Sequence, residues 1–268
     1  MNALTTRFSV IDAHAHLGED CVYDVAETEE ELVSWYDRTG VKGMVVQPYI
    51  PRPTLPDITS AHDRIHKLCQ EANVWRRQGI RNLWIWGMAS IHPHLPWAMY
   101  EEEARRCVKD LGFVALKLHP LAYGCNPKSR DGMHVFETAA SLKIAVMVHT
   151  GTGIPFSDCL NVEVPAKSNP STPVILAHGG ANFFTDAAIE TAKRCDNVFL
   201  ETSWCGIHHI RKMIRILGAQ KIIFASDHGD NLPVELEKYE TLHLTDEQYE
   251  WCLSRTLQEA LRLPKILN

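Results

Sequence analysis

Two histidines separated by one small residue, His14 and His16, close the run Val10-Ile11-Asp12-Ala13-His14-Ala15-His16. The alternation is that of a β-strand, which turns both imidazoles to the same side. At that spacing they make a rigid half-site for a divalent cation, although a histidine pair at a strand end can also have no ligand role. Further metal-competent side chains close later apolar runs: His119 after 113–118, His149 after 144–148, His178 after 174–177 and Asp227 after 222–226. Scattered histidines would not choose strand ends repeatedly, so these positions point to one shared metal site. Neutral imidazole and carboxylate suit Zn2+, and also Mn2+, Fe2+ or Co2+. Three imidazoles and one carboxylate leave such a site cationic, which draws the pKa of a bound water towards ~7. Asp227 could then act both as ligand and as acceptor of that water's proton.

The elements that must bring these residues together are short apolar strands separated by helical patterns. Strands are expected at 8–12, 43–47, 83–89, 113–120, 144–149, 174–178, 198–203 and 222–227. Between them, Thr28-Glu29-Glu30-Glu31 reads as a capping box, and Leu32, Trp35 and Tyr36 give one apolar face to a helix stopped by Gly40. A proline-rich loop with Pro48, Pro51, Pro53 and Pro56 follows the second strand and could cover a site opening nearby. Strict alternation of strand and helix implies parallel strands with right-handed crossovers, and eight such units over 268 residues fit a closed (β/α)8 TIM barrel. An open doubly wound sheet is the other arrangement weighed. It would leave the first, fifth and eighth strand ends far apart, whereas a barrel brings all of them to one mouth.

Composition narrows the partners. The net charge is −6 with no basic run, which argues against nucleic acid or a membrane surface. No apolar stretch reaches membrane-spanning length, and the N-terminus has no secretory core and leads straight into the first strand. The eight cysteines are scattered without a Cys-x-x-Cys pair, so they are read as reduced, in a cytoplasmic protein. With no break in composition, residues 1–268 are read as a single domain acting on a small molecule, with homo-oligomer formation left open.

Taken in order, Asp12-Ala13-His14-Ala15-His16, Gly112-Phe113-Val114-Ala115-Leu116-Lys117-Leu118-His119-Pro120, His149-Thr150-Gly151, Ala177-His178-Gly179-Gly180, Asn197-Val198-Phe199-Leu200-Glu201-Thr202-Ser203 and Phe224-Ala225-Ser226-Asp227 resemble the amidohydrolase superfamily. More narrowly they resemble its amidohydrolase-related branch, which also holds aminocarboxymuconate semialdehyde decarboxylase and resorcylate decarboxylase. The resemblance runs from the first strand to the eighth. It implies that His14, His16, His149 and Asp227 bind one or two divalent ions, zinc first among them. It implies that His178 lies close by, as a second-metal ligand or a residue that transfers protons or polarises substrate. Lys117 occupies a position where some relatives carry a carboxylated lysine bridging two metals. The residue pattern leaves open a bridging carbamate, a plain ammonium for a substrate carboxylate, or an interior packing role; if Lys117 and His119 share a face, one could be a ligand and the other could contact substrate.

The leading expectation is a metal-dependent hydrolase. Activated water would attack an amide, ester or lactone, with Asp227 and His178 handling protons. The alternative is a non-oxidative decarboxylase of a hydroxy-substituted or unsaturated carboxylic acid. For it, a basic residue facing the departing carboxylate is diagnostic, and Lys117 or Arg130 could supply one. A barrel that keeps a metal for binding without turnover ranks third.

Overall fold

The computed structural model describes residues 2–266. Its sheet has nine strands: β1 Ile11–Glu19, β2 Ala26–Glu27, β3 Gly43–Pro48, β4 Trp84–Ser90, β5 Ala115–Leu118, β6 Ala145–His149, β7 Val174–Ala177, β8 Val198–Glu201 and β9 Ile222–Ile223. The order is β2-β1-β3-β4-β5-β6-β7-β8-β9. β2 is a short antiparallel addition; the other eight are parallel to their neighbours. Beyond β9 the chain turns back onto β1, where Ala13 N–H donates to Phe224 O (3.2 Å) and Asp227 N–H to His14 O (2.8 Å). These bonds close the eight parallel strands into the expected (β/α)8 barrel.

Asp12 reinforces the seam. It accepts from the backbone N–H of His14 and Ser226, from the Tyr36 hydroxyl at 2.8 Å and from the Ser226 hydroxyl. Burial pushes its carboxyl up to about 7, against the pull of those donors. The residue that sequence places beside the histidine pair therefore ties two barrel strands to the helix Glu29–Thr39. That helix carries the expected capping box at Thr28 and ends at Gly40, whose φ of 81° lies in the left-handed region open to glycine.

Two apolar layers flank the strands. Outward-facing side chains such as Val46, Leu116, Val146 and Leu176 join helix residues such as Leu32, Ile65 and Phe136 in the larger core. Inward-facing residues Ile11, Val45, Ala115, Ala145, Met147, Ile175, Ala177, Ile223 and Ala225 fill the barrel, with Leu257 and Leu261 beneath them. Trp84 and Trp86, 5.9 Å apart and stacked, pack on this inner cluster.

Sequence periodicity missed some local structure. A five-residue helix, Ala3–Arg7, precedes the first strand instead of a direct entry. That strand starts at Ile11 and runs through both histidines, so they lie within it rather than after it. All eight cysteines are free thiols. Among the described residues no helix is long and apolar enough to cross a membrane.

Candidate metal centre

The site continues the inner face of the barrel upward by strict alternation. Val45 leads to Gln47, Ala115 to Lys117 and His119, Met147 to His149, Phe199 to Glu201, and Ala225 to Asp227. Two residues join by breaking the rule. β1 shifts register against β3 between Asp12 and Ala15, a bulge that lets His14 enter the site although Ala13 is also an inner residue. His178 follows the inner residue Ala177 directly and turns in through a left-handed backbone, φ 65°. Gly179 and Gly180 complete that turn. A Cβ on Gly180 would lie 2.9 Å from the Thr185 nitrogen, so tight packing rather than ligand approach explains the glycine there.

At the centre, His14 Nε2 and His16 Nε2 stand 3.1 Å apart. Asp227 Oδ1 lies 3.0 Å from the first and 3.2 Å from the second. His178 joins His14 and Asp227 in a buried group whose donor atoms all lie within 4.8 Å of one another. Glu201 decides the tautomer of His14. Its Oε2 is 3.1 Å from His14 Nδ1, which donates to it and so leaves Nε2 as a lone pair. The same carboxylate accepts the backbone N–H of His178 and of Ser203.

His149 and His119 form the next layer. His149 Nδ1 lies 3.1 Å from His178 Nε2, and its Nε2 lies 3.0 Å from Thr152 Oγ1. His119 stacks on His149 with ring centroids 4.0 Å apart and accepts the Ala122 N–H at Nδ1. Lys117 is buried, and its Nζ lies 2.9 Å from His14 Nε2. Arg130, the other basic residue considered, is exposed and sits over the Trp97 ring, away from the cavity.

Burial sets the electrostatics. It lowers the pKa of His14, His16, His119, His149 and His178, and the Lys117 charge lowers His14 and His119 further. Burial alone would raise Asp227, but its attraction for the protonated forms of His14, His178 and His16 holds it well below the carboxylate range. Desolvation brings Lys117 down to about 8. Neutral imidazoles around an ionised carboxylate are the protonation states that metal ligands require.

The fit to a cation can be judged from the atoms themselves. Two imidazole lone pairs and a carboxylate oxygen converge within 3.2 Å. Buried His16 Nδ1 has no hydrogen-bond partner, and the Gln47 amide and Lys117 ammonium point at the lone pairs as cation-like donors. A second buried group, His62, Glu103 and Cys107, lies between outer helices. It reads as a structural network. His62 Nε2 accepts the Ser90 N–H, so its proton is on Nδ1, which donates to Glu103 at 2.7 Å; Glu103 also takes two bonds from Arg106.

Several residues in or against the site escaped sequence reasoning. Gln47 contacts both histidines of β1, at 2.6 and 2.9 Å. It is a lone polar side chain ending an apolar strand, the same signal that singled out the histidines. Tyr49 stacks on His16 at 4.6 Å and bonds His228 at 2.7 Å. Asp227 keeps the step of two from Ala225, and His228 lines the cavity as well because the backbone at Asp227, φ 70°, is left-handed beyond the strand's end at Ile223. The cavity measures about 390 Å³. Its polar floor carries His16, Lys117, His149, His178 and Asp227, and its upper wall Tyr23, Val25, Ile50 and Leu121. Tyr49 and Ile50 come from the proline-rich loop.

A sequence profile of the amidohydrolase family matches residues 11–262. No curated protein sequence matches the chain. Solved structures of similar fold include a 2,6-dihydroxybenzoate decarboxylase complexed with 2,6-dihydroxybenzoate, at 14% identity and TM-score 0.73, covering 96% of this chain and 99% of that one. A dihydroxybenzoic acid decarboxylase from Polaromonas sp. JS666, with manganese and 2-nitroresorcinol bound, matches at 16% identity and TM-score 0.68, covering 97% and 98%. A 5-carboxyvanillate decarboxylase from Novosphingobium aromaticivorans, with manganese and 4-hydroxy-3-methoxy-5-nitrobenzoic acid, matches at 12% identity and TM-score 0.72, covering 96% and 97%. These relatives correct the leading expectation from sequence. These three, which match over nearly their whole length, are named decarboxylases, so hydrolysis of an amide, ester or lactone gives way to the decarboxylase alternative. The metal they carry is manganese where one is named, so zinc loses its first place. From the profile match over nearly its whole length, the chain belongs to the amidohydrolase family.

Proposed function

We propose that this protein is a metal-dependent, non-oxidative decarboxylase of a small hydroxy-substituted or unsaturated carboxylic acid. The observation that carries the reading is Lys117, a buried cationic side chain in the cavity wall beside His14. A carboxylate entering this cavity meets that ammonium; Arg130, the other basic residue weighed, is absent from the lining.

In this reading His14, His16 and Asp227 would hold a divalent cation, with His149 and His178 close by. Manganese and zinc both accept this imidazole and carboxylate set. When bound, the cation neutralises and fixes the oxygens of the acid. Decarboxylation breaks the bond to the carboxyl carbon, releases CO2 and leaves a carbon that takes up a proton. Lys117 Nζ orients the carboxylate, and His119 supports the acid from the neighbouring wall. His178 is the proton donor. Ser203 Oγ, 2.8 Å from Nδ1, and His149, 3.1 Å from Nε2, fix its ring. Burial keeps its resting ring neutral, so the proton that it gives to carbon is one that it has first taken up from solvent. Val25, Ile50 and Leu121 offer no side-chain donor to an anion, a wall that suits neutral CO2 better than carboxylate. The test is CO2 release by metal-loaded protein from a panel of hydroxybenzoic and unsaturated acids. Release from at least one member, abolished by chelation, is expected; a panel that yields none would overturn the reading.

Metal retention should resist acid. A depressed imidazole pKa means that protons compete for the ligands only at lower pH. Half of the metal should therefore remain bound below pH ~6.5, the ordinary histidine midpoint. Dialysis over a pH series with elemental analysis checks this, and a midpoint above 6.5 would count against buried neutral ligands.

A further inference from the structure

Trp204 stands just past β8 in a conformation that disfavours it. Its φ of 62° is in the left-handed region, where a bulky residue is an outlier. The indole is 46% exposed, so burial gives little reason to keep a large ring there. The backbone is pinned all the same: Trp204 N–H donates to Glu235 Oε1 at 2.8 Å, and its carbonyl accepts from Asn182 Nδ2 at 3.1 Å. The pinned indole delivers its Nε1–H to Asp227 Oδ2 at 2.7 Å. Asp227 is itself left-handed, φ 70°. Its two oxygens thus divide their work. Oδ1 faces His14 and His16, while Oδ2 faces the indole, with His228 Nε2 at 3.6 Å. The Trp204 ring also meets His228 edge-on at 5.8 Å.

We propose that Trp204 is a positioning residue whose indole N–H holds Asp227 Oδ2, so that Asp227 offers the metal one oxygen in a fixed direction. The inference rests on the reading of Asp227 as a metal ligand. An acceptor oxygen engaged by a good donor is withheld from the cation, and outer partners of ligating carboxylates set metal affinity in this way. Glycine would relieve the backbone but could not carry the N–H, which explains a tryptophan at a glycine-like position.

The test measures the dissociation constant for Mn2+ alone in four full-length proteins. They are the wild type, Trp204→Phe, a protein with benzothienylalanine at position 204, and Asp227→Asn. Benzothienylalanine replaces the N–H with sulfur while keeping the ring's size and its contact with His228. Both changes at position 204 should weaken Mn2+ binding about 10-fold or more, with apo-protein melting unchanged. Equal weakening assigns the effect to the N–H, because one variant keeps the whole bicyclic ring. If Trp204→Phe does not fold, the isostere decides. Wild-type affinity in the isostere overturns the inference while leaving the ligand reading intact, provided that Asp227→Asn loses Mn2+. Wild-type affinity in Asp227→Asn overturns both.

Discussion

His16→Ala should leave the purified protein nearly metal-free, with affinity lowered about 100-fold or more and decarboxylation lost with it. The cause is geometric. His16 supplies one of two lone pairs that stand 3.1 Å apart, and the carboxylate oxygen that completes the triangle lies 3.0 and 3.2 Å away. Removing even an outer partner of a metal ligand costs 10- to 100-fold in affinity, so a ligand itself should cost at least the upper figure. The fold should survive, because the barrel seam is carried by Asp12, Ser226 and the backbone bonds to Phe224 and Asp227 rather than by the imidazole. Elemental analysis beside circular dichroism checks both halves. Wild-type metal occupancy in a folded His16→Ala protein would remove His16 from the ligand set.

Lys117→Met should separate the three roles open to that lysine. Methionine keeps an apolar side chain of similar reach and deletes the charge. For an ammonium that orients a carboxylate, kcat/KM should fall about 100-fold, about 2.7 kcal/mol, with metal content unchanged. Loss of metal together with activity would instead indicate a bridging carbamate, and loss of neither an interior packing role. The wild type should also carry an alkaline limb. Lys117 is charged below its pKa of about 8, so activity should decline as pH rises through that value, and a bound cation nearby moves the limb lower. The variant should lack that limb. A wild-type profile flat to pH 9 would show that the ammonium is not required.

The fold was legible because its signal is repeated. Each apolar run is buried on both faces, which makes it continuous, and its length leaves a helix between one strand and the next. The same regularity exposed Lys117, His119, His149 and Asp227, since each continues the inner face of its strand by steps of two. Gln47 obeys the same rule and could have been read from it. Strand ends were less legible. β9 covers only Ile222 and Ile223, although the apolar run continues to Ala225, because beyond Ile223 the chain is held to β1 by single bonds and by Asp12. Trp204 and the inward turn of His178 depend on left-handed backbone at non-glycine residues, for which the sequence carries no pattern. The register shift in β1 lies equally beyond periodicity, because a bulge is visible only against its partner strand. Chemistry was the least legible layer. Hydrolysis and decarboxylation ask for the same ligands, and what separates them is whether a cation such as Lys117 or Arg130 reaches the cavity.

The most direct measurement is an anomalous difference map from crystals of the manganese-loaded protein. A peak is expected at the barrel mouth, ~2.0–2.3 Å from His14 Nε2, His16 Nε2 and Asp227 Oδ1, distances typical of first-row metals on nitrogen and oxygen. A map with no peak among these three atoms, or with the manganese bound elsewhere, would contradict that ligand set.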